Sequence, residues 1–202
     1  STDINNDFWV AKGGQVGEIR GYTAAGRYEV SDFTGFDEAS KKWVLKDGVP
    51  DATTVLGTTV RPGSLKIADI NGDGTINDED NSIIGNTNPD FIGGFNVSAK
   101  VHDFDFAANF TYSFGNDVYN ADKVMFTQTS KYRYYSMVDD MAMGKRWTNL
   151  RADGTISNDP NELAQMNAGT TMWSPLTGRY VITDHYIEDA SYLRLSTVTL
   201  GY

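Results

Sequence analysis

Between residues 91 and 115, apolar and polar side chains alternate with a period of two, and no other stretch restricts the fold of this chain so tightly. From Phe104 onward, Phe104, Phe106, Ala108, Phe110, Tyr112 and Phe114 fall on one face, and Asp105, Ala107, Asn109, Thr111 and Ser113 on the other. Successive side chains of a strand point to opposite sides of the sheet, so this is a strand with one aromatic face and one small, polar face. The run before it repeats the pattern, with Phe95, Val97, Ala99 and Val101 opposing Asn96, Ser98 and Lys100. His102-Asp103 joins the two as a tight turn, and each arm of the resulting hairpin has about the 9–11 residues a strand needs to cross a bilayer. In a soluble sandwich the apolar face packs on a second sheet; in an outer-membrane barrel it meets lipid. Periodicity does not choose between them. Two features favour lipid: Tyr112 and Phe114 stand where an interfacial girdle would sit, and the turn is very short while the connections at the other end are very long.

Composition narrows the function classes. With a formal net charge of −10 and no Lys/Arg cluster, the chain lacks the electrostatic footprint of nucleic-acid binding. Cysteine is absent, so disulfides, thiolate nucleophiles and cysteine metal sites are excluded. Two isolated histidines, His102 and His185, leave little for a zinc centre or a Ser-His-Asp site. The 20 Gly and 11 Tyr, without long leucine-rich runs, favour β-structure with long loops. No secretory leader pattern opens the sequence and no apolar run approaches the roughly 18 residues of a membrane helix, but transmembrane strands are nearly invisible to hydropathy.

Residues 1–90 read as short strand-like pieces punctuated by glycine, at 16–22, 26–30, 42–46 and 65–68, with 83–89 as a turn-rich connector. Residues 116–186 read as a second long connection. A short helix is expected within 132–147, where Tyr135, Val138, Met141 and Met143 share a side as a packing stripe, and 149–175 reads as loop. Residues 187–202 return to strand character, and the chain ends inside that strand, as a piece of something longer. Under strict alternation Leu193 and Leu195 fall opposite Val198 and Leu200, so the register of this strand stays open.

Residues 69–80, Asp-Ile-Asn-Gly-Asp-Gly-Thr-Ile-Asn-Asp-Glu-Asp, have the layout of an EF-hand-type calcium loop. Asp69, Asn71 and Asp73 supply side-chain oxygens, Thr75 its backbone carbonyl, and Asn77 an oxygen acting through water. Gly74 allows the sharp turn, and Asp80 closes the site. The usual closing ligand is a bidentate Glu, so the shorter Asp80 points to a structural calcium site rather than a tight buffer or sensor. Asp153-Gly-Thr-Ile echoes the second half of the loop, but Arg151 stands at the third ligand position and Pro160 at the twelfth, which leaves a turn.

Five segments, in order, resemble the C-terminal half of SusC/RagA-type TonB-dependent outer-membrane transporters. They are residues 17–28, with Gly-Tyr at 21–22; residues 61–74, from Arg-Pro-Gly-Ser through Asp-Ile-Asn-Gly-Asp-Gly; residues 84–89 followed by Gly93-Gly94-Phe95; Phe104-Asp-Phe106 with residues 112–120; and residues 190–195 with Leu200-Gly-Tyr202. The resemblance implies an all-β fold, with antiparallel strands forming part of a transmembrane barrel of about 22 strands, closed by a plug. It implies import of glycans or peptides across a Gram-negative outer membrane, powered through TonB by way of an upstream segment, with a SusD-like surface lipoprotein as partner. On that reading residues 1–90 and 116–186 are cell-surface loops, 91–115 is a transmembrane hairpin turning on the periplasmic side, and 187–202 begins the next barrel strand.

The principal competitor is a calcium-stabilised extracellular carbohydrate-binding or dockerin-like module. Dockerin-like modules carry two such loops on helices, whereas this chain has one loop flanked by strands. A lectin-like sandwich would use Trp9, Trp43, Trp147 and Trp173 as stacking platforms for sugars. An enzyme is not expected: the acidic pairs Asp139-Asp140 and Glu188-Asp189 are adjacent residues whose side chains point apart, not a positioned pair in a cleft.

Overall fold

The computed structural model describes residues 2–4, 8–10, 12–129 and 136–202, with side chains from residue 12 onward. In chain order its strands are β1 (Thr2–Ile4), β2 (Phe8–Val10), β3 (Glu18–Gly21), β4 (Ala24–Arg27), β5 (Phe33–Asp37), β6 (Lys42–Leu45), β7 (Leu65–Ile67), β8 (Ser82–Asn86), β9 (Phe91–Val101), β10 (Phe104–Phe114), β11 (Asp117–Tyr119), β12 (Ile187–Asp189) and β13 (Tyr192–Gly201). Among the described residues three short α-helices accompany them: α1 (Thr53–Leu56), α2 (Ala121–Thr127) and α3 (Pro160–Met166). Strands dominate, and the ladders β1–β2, β4–β7, β5–β6, β9–β10, β10–β13 and β11–β12 are antiparallel, as an all-β reading requires.

The chain divides into two compact units. The first comprises Ser1–Arg20, Ile83–Tyr119 and Ile187–Tyr202 and is built on a three-stranded sheet in the order β13-β10-β9. The hairpin is the one the alternation predicts. Phe104 pairs with Val101 and Phe114 with Phe91, and His102 takes a left-handed φ of 55° in the turn between them. The last strand settles its register with a bulge. Asn109 faces Thr197 and Phe110 faces Leu195, so Ser196 has no partner across the ladder. One extra residue reverses the parity of a strand. Leu193, Leu195, Val198 and Leu200 therefore all share the face of Tyr112, Phe110, Ala108 and Phe106. Residues 83–89, expected as a connector, contribute to β8, which pairs with β3.

The second unit, Gly21–Ser82 with Asn120–Tyr186, contains the hydrophobic core. Tyr28 is fully buried, its hydroxyl donating to the Pro50 carbonyl (2.5 Å) and accepting from Ala52 N–H (3.1 Å). Phe33 meets Tyr28 at 6.0 Å and Trp43 edge-on at 5.6 Å. The Arg61-Pro62-Gly63-Ser64 turn carries a left-handed Gly63 (φ 86°) pressed to the indole of Trp147. A Cβ on Gly63 would lie 2.1 Å from Trp147 Cδ1, so only glycine fits. Distant segments are stitched together by Ser174 N–H donating to the Gly63 carbonyl (2.7 Å) and by Gly178 and Arg179 N–H donating to that of Leu56 (both 3.1 Å).

The helices depart from expectation. Of the predicted 132–147 segment, residues 132–135 lie outside the described residues. Over 136–147 the helical element is one 3-10 turn, Asp139–Met141, because Ala142 returns to extended backbone. Met141 from the predicted stripe is core, whereas Met143 is exposed. The stretch expected as loop, 149–175, contains α3. Its N-terminus is capped by Asp159, whose Oδ1 accepts from Glu162 N–H (2.8 Å), with Pro160 in the first turn.

Candidate functional site

Two features are the candidates for function: the exposed face of the sheet in the first unit, and the 69–80 loop in the second.

On β9, β10 and β13 the ring-bearing face is bare. Phe91, Phe104, Leu193 and Leu200 are 70, 62, 57 and 79% exposed, and of the apolar side chains on that face only Ala108 is buried. Phe95 stacks on Phe110 across the ladder at 4.7 Å, and Tyr112 stacks on Phe114 at 5.4 Å. At the turn end Phe104 meets Tyr202 at 5.1 Å. Aromatic rings thus stand at both ends of a band filled by Phe106, Val97, Leu195 and Val198. Tyr112 also lies across Gly93, where a Cβ would come within 2.6 Å of its hydroxyl. Eleven residues of β10 at about 3.3 Å each make roughly 35 Å of strand, which crosses roughly 25 Å at a tilt near 45°. The opposite face is polar and internally bonded: Asn96 Nδ2 donates to Asn109 Oδ1 (2.8 Å), and the Thr111 and Ser196 hydroxyls share a hydrogen bond (3.1 Å). Among the described residues no helix is long and apolar enough to cross a membrane, which says nothing of strands.

The 69–80 loop is closed by its own side chains. Asp69 accepts from Gly72 N–H and Gly74 N–H through its two oxygens (2.7 Å each), with both glycines left-handed (φ 76° and 83°). Asn71 Oδ1 accepts from Asp73 N–H (2.9 Å), and Asp73 Oδ1 from Thr75 N–H (2.7 Å). Asn77 caps the 3-10 turn Asp78–Asp80, its side chain accepting from Glu79 N–H (2.7 Å). Asp80 is fully buried, its two oxygens accepting from Ile70 and Asn77 N–H (2.9 Å each). Ile76 anchors the loop to the core, fully buried, with its N–H directed to the Asp51 carbonyl at 3.4 Å.

The donor set, carboxylates with amide and carbonyl oxygens, suits a hard divalent cation in kind. Among the described residues, however, no group of three His, Asp or Glu side chains is gathered closely enough to hold an ion. Sequence reasoning missed Tyr22, whose hydroxyl donates to Asp78 Oδ1 (3.2 Å); burial, reinforced by Asp78, pushes that phenol up to about 12. It also missed Glu79, which accepts from Asn71 Nδ2 (3.2 Å).

Other candidates resolve into packing. Trp43, Trp147 and Trp173 are 8, 3 and 6% exposed, so they are not the open stacking platforms of a lectin-like surface; the Trp9 side chain lies outside the described residues. His185 sits edge-on between Trp173 (4.9 Å) and Tyr186 (5.2 Å). In the echo loop the Arg151 guanidinium donates to both oxygens of Glu162 (2.6 Å each), to Thr155 Oγ1 (3.1 Å) and to the Ile156 carbonyl (3.3 Å). A tethered cation thus stands at the third ligand position. Glu162 is held down at about 2, chiefly by Arg151 and next by the Ser157 hydroxyl.

No family model matches this chain. It is similar to TonB-dependent receptor P3 of Formosa agariphila, 27% identical over 191 residues that make up 95% of this chain and 15% of that protein. TonB-dependent receptor P26 of the same organism is 29% identical over 69% of this chain and 12% of its own length. TonB-dependent receptor P39 is 25% identical over 96% of this chain and 19% of its own length. The chain therefore spans less than a fifth of the curated relatives it matches. Similarity over most of this chain supports a place in the TonB-dependent receptor family.

Proposed function

We propose that this chain is part of the barrel wall and surface loops of a TonB-dependent transporter of the SusC/RagA type, importing glycans or peptides across a Gram-negative outer membrane. The observation that carries the reading is the bare ring-bearing face of β9, β10 and β13. An apolar face of that length, with aromatic ends, is stable against hydrocarbon and a liability in water. The polar face then lines the lumen of a barrel of about 22 strands. TonB engages a segment outside these residues, and a SusD-like lipoprotein caps the surface side.

Within this reading Asp69, Asn71, Asp73, the Thr75 carbonyl, Asn77 and Asp80 form the oxygen set for a structural calcium ion. Its role is to hold the loop in one shape, so that docking of the lipoprotein orders fewer residues. Chelator should raise the loop protease sensitivity of the wild type, and an Asp69→Ala/Asp73→Ala variant should be sensitive with or without it; a wild type indifferent to chelator removes this role.

The transporter reading is tested in the full-length receptor by placing arginine on either face. Phe110→Arg puts a charge near mid-bilayer at a cost of about 2–4 kcal/mol and should sharply lower heat-resistant folded barrel in outer-membrane fractions, whereas Asn109→Arg should leave assembly near normal. Equal assembly of the two variants would sink the proposal.

A further inference from the structure

We propose that Asn71-Gly72 is a site of spontaneous deamidation, and that closure of the 69–80 loop sets its rate. This is the single Asn-Gly pair in the chain. Glycine offers no side chain to shield its backbone nitrogen, so that nitrogen can attack the asparagine Cγ. The Gly72 N–Cγ bond forms and the Cγ–Nδ2 bond breaks. Ammonia leaves, carrying the former amide proton, and a succinimide ring remains. Water then adds to either ring carbonyl and reopens the ring as Asp or as an iso-aspartyl linkage.

Asn71 is exposed, so water has access. The loop nevertheless holds every atom the attack requires. Gly72 N–H is bonded to Asp69 Oδ1 (2.7 Å), and the carboxylate also opposes loss of that proton. Asn71 Oδ1 is bonded to Asp73 N–H (2.9 Å), and Nδ2 donates to Asp73 Oδ2 (3.1 Å) and Glu79 Oε2 (3.2 Å). The side chain cannot swing Cγ onto Gly72 N without breaking these bonds, so reaction proceeds from the locally open loop.

The product differs from the reactant in one decisive respect. Nδ2 is the donor standing between the carboxylates of Asp73 and Glu79. Deamidation replaces it with a third carboxylate, and two attractive contacts become repulsive ones. The loop then closes less well, which makes the reaction a one-way record of its past openings. This chemistry is the same whatever the chain transports.

The test is peptide mapping by mass spectrometry after incubation of the intact protein at mildly alkaline pH, beside a linear peptide of residues 69–80. Wild-type Asn71 should convert about tenfold more slowly than the peptide, and Asp69→Ala should approach the peptide rate. Hydrogen exchange at Tyr28 and Ala52 confirms that the variant keeps its core. Should Asp69→Ala not fold, Glu79→Ala, which removes one acceptor of Nδ2, is expected to speed conversion by a smaller factor. Asn71→Asp, the product itself, should exchange Gly72 and Thr75 amides faster than wild type. Conversion of folded wild type at the peptide's rate would overturn the proposal, as would folded loop variants that convert no faster than wild type.

Discussion

The two units spend their apolar residues in opposite ways. In the second unit Trp43, Trp147 and Trp173 converge with Tyr28, Ile67 and Val181 into a core closed to solvent. In the first unit Phe91, Phe104, Leu195 and Leu200 stand outward and more than half exposed. Both are rich in aromatics, so composition does not separate them. What separates them is where the apolar side chains have partners within the chain, and a face without such partners is built for a different solvent.

The largest expected effect tests the cored half of this contrast. Trp147→Ala should cost the second unit about 3–5 kcal/mol in denaturant unfolding, since the indole is buried against Gly63. Phe104→Ala, which removes an exposed ring, should leave that transition in place; equal losses would erase the contrast. Next in size is Tyr28→Phe, which strands the Pro50 carbonyl and Ala52 N–H and should cost about 1–3 kcal/mol by the same measurement. The smallest effect is a pH dependence. Glu162, near 2 in the folded loop against 4.5 ordinarily, stabilises that loop fully above 4.5, and the contribution is lost as pH falls toward 2. Thermal melts of Glu162→Gln should therefore respond less to acid between those values than wild type does. An unchanged acid response in the variant would show that the Arg151–Glu162 pair does not hold the echo loop.

The sheet was legible because its information is local. Alternation over β9 and β10 specifies both strands, and His102-Asp103 leaves room for only a two-residue turn between them. The parity break between Leu195 and Val198 was visible too, but it reads as a bulge only once the partner strand is known. The core of the second unit was illegible for the opposite reason. It joins Gly63 to Trp147 and Ser174, and Leu56 to Gly178, across separations that no periodicity reports. Helix α3 carried its signal in Asp159-Pro160-Asn161-Glu162, a cap with proline in the first turn, but the surrounding Asn, Asp and Thr made the stretch read as loop. In the 69–80 loop the spacing revealed the oxygen set and the turns. It could not reveal that Asp80 would be buried with both oxygens on backbone amides, because that depends on Ile76 docking into a core assembled from elsewhere.

The most direct measurement is a nitroxide scan of residues 192–201 in the membrane-embedded full-length receptor, comparing collisions with oxygen and with a water-soluble nickel chelate. Labels at 193, 195, 198 and 200 should all favour oxygen, with those at 194, 197 and 199 favouring the chelate and the phase slipping at 196. Chelate access at all four apolar positions, or exclusion of both reagents by overlying protein, would contradict a hydrocarbon-facing sheet.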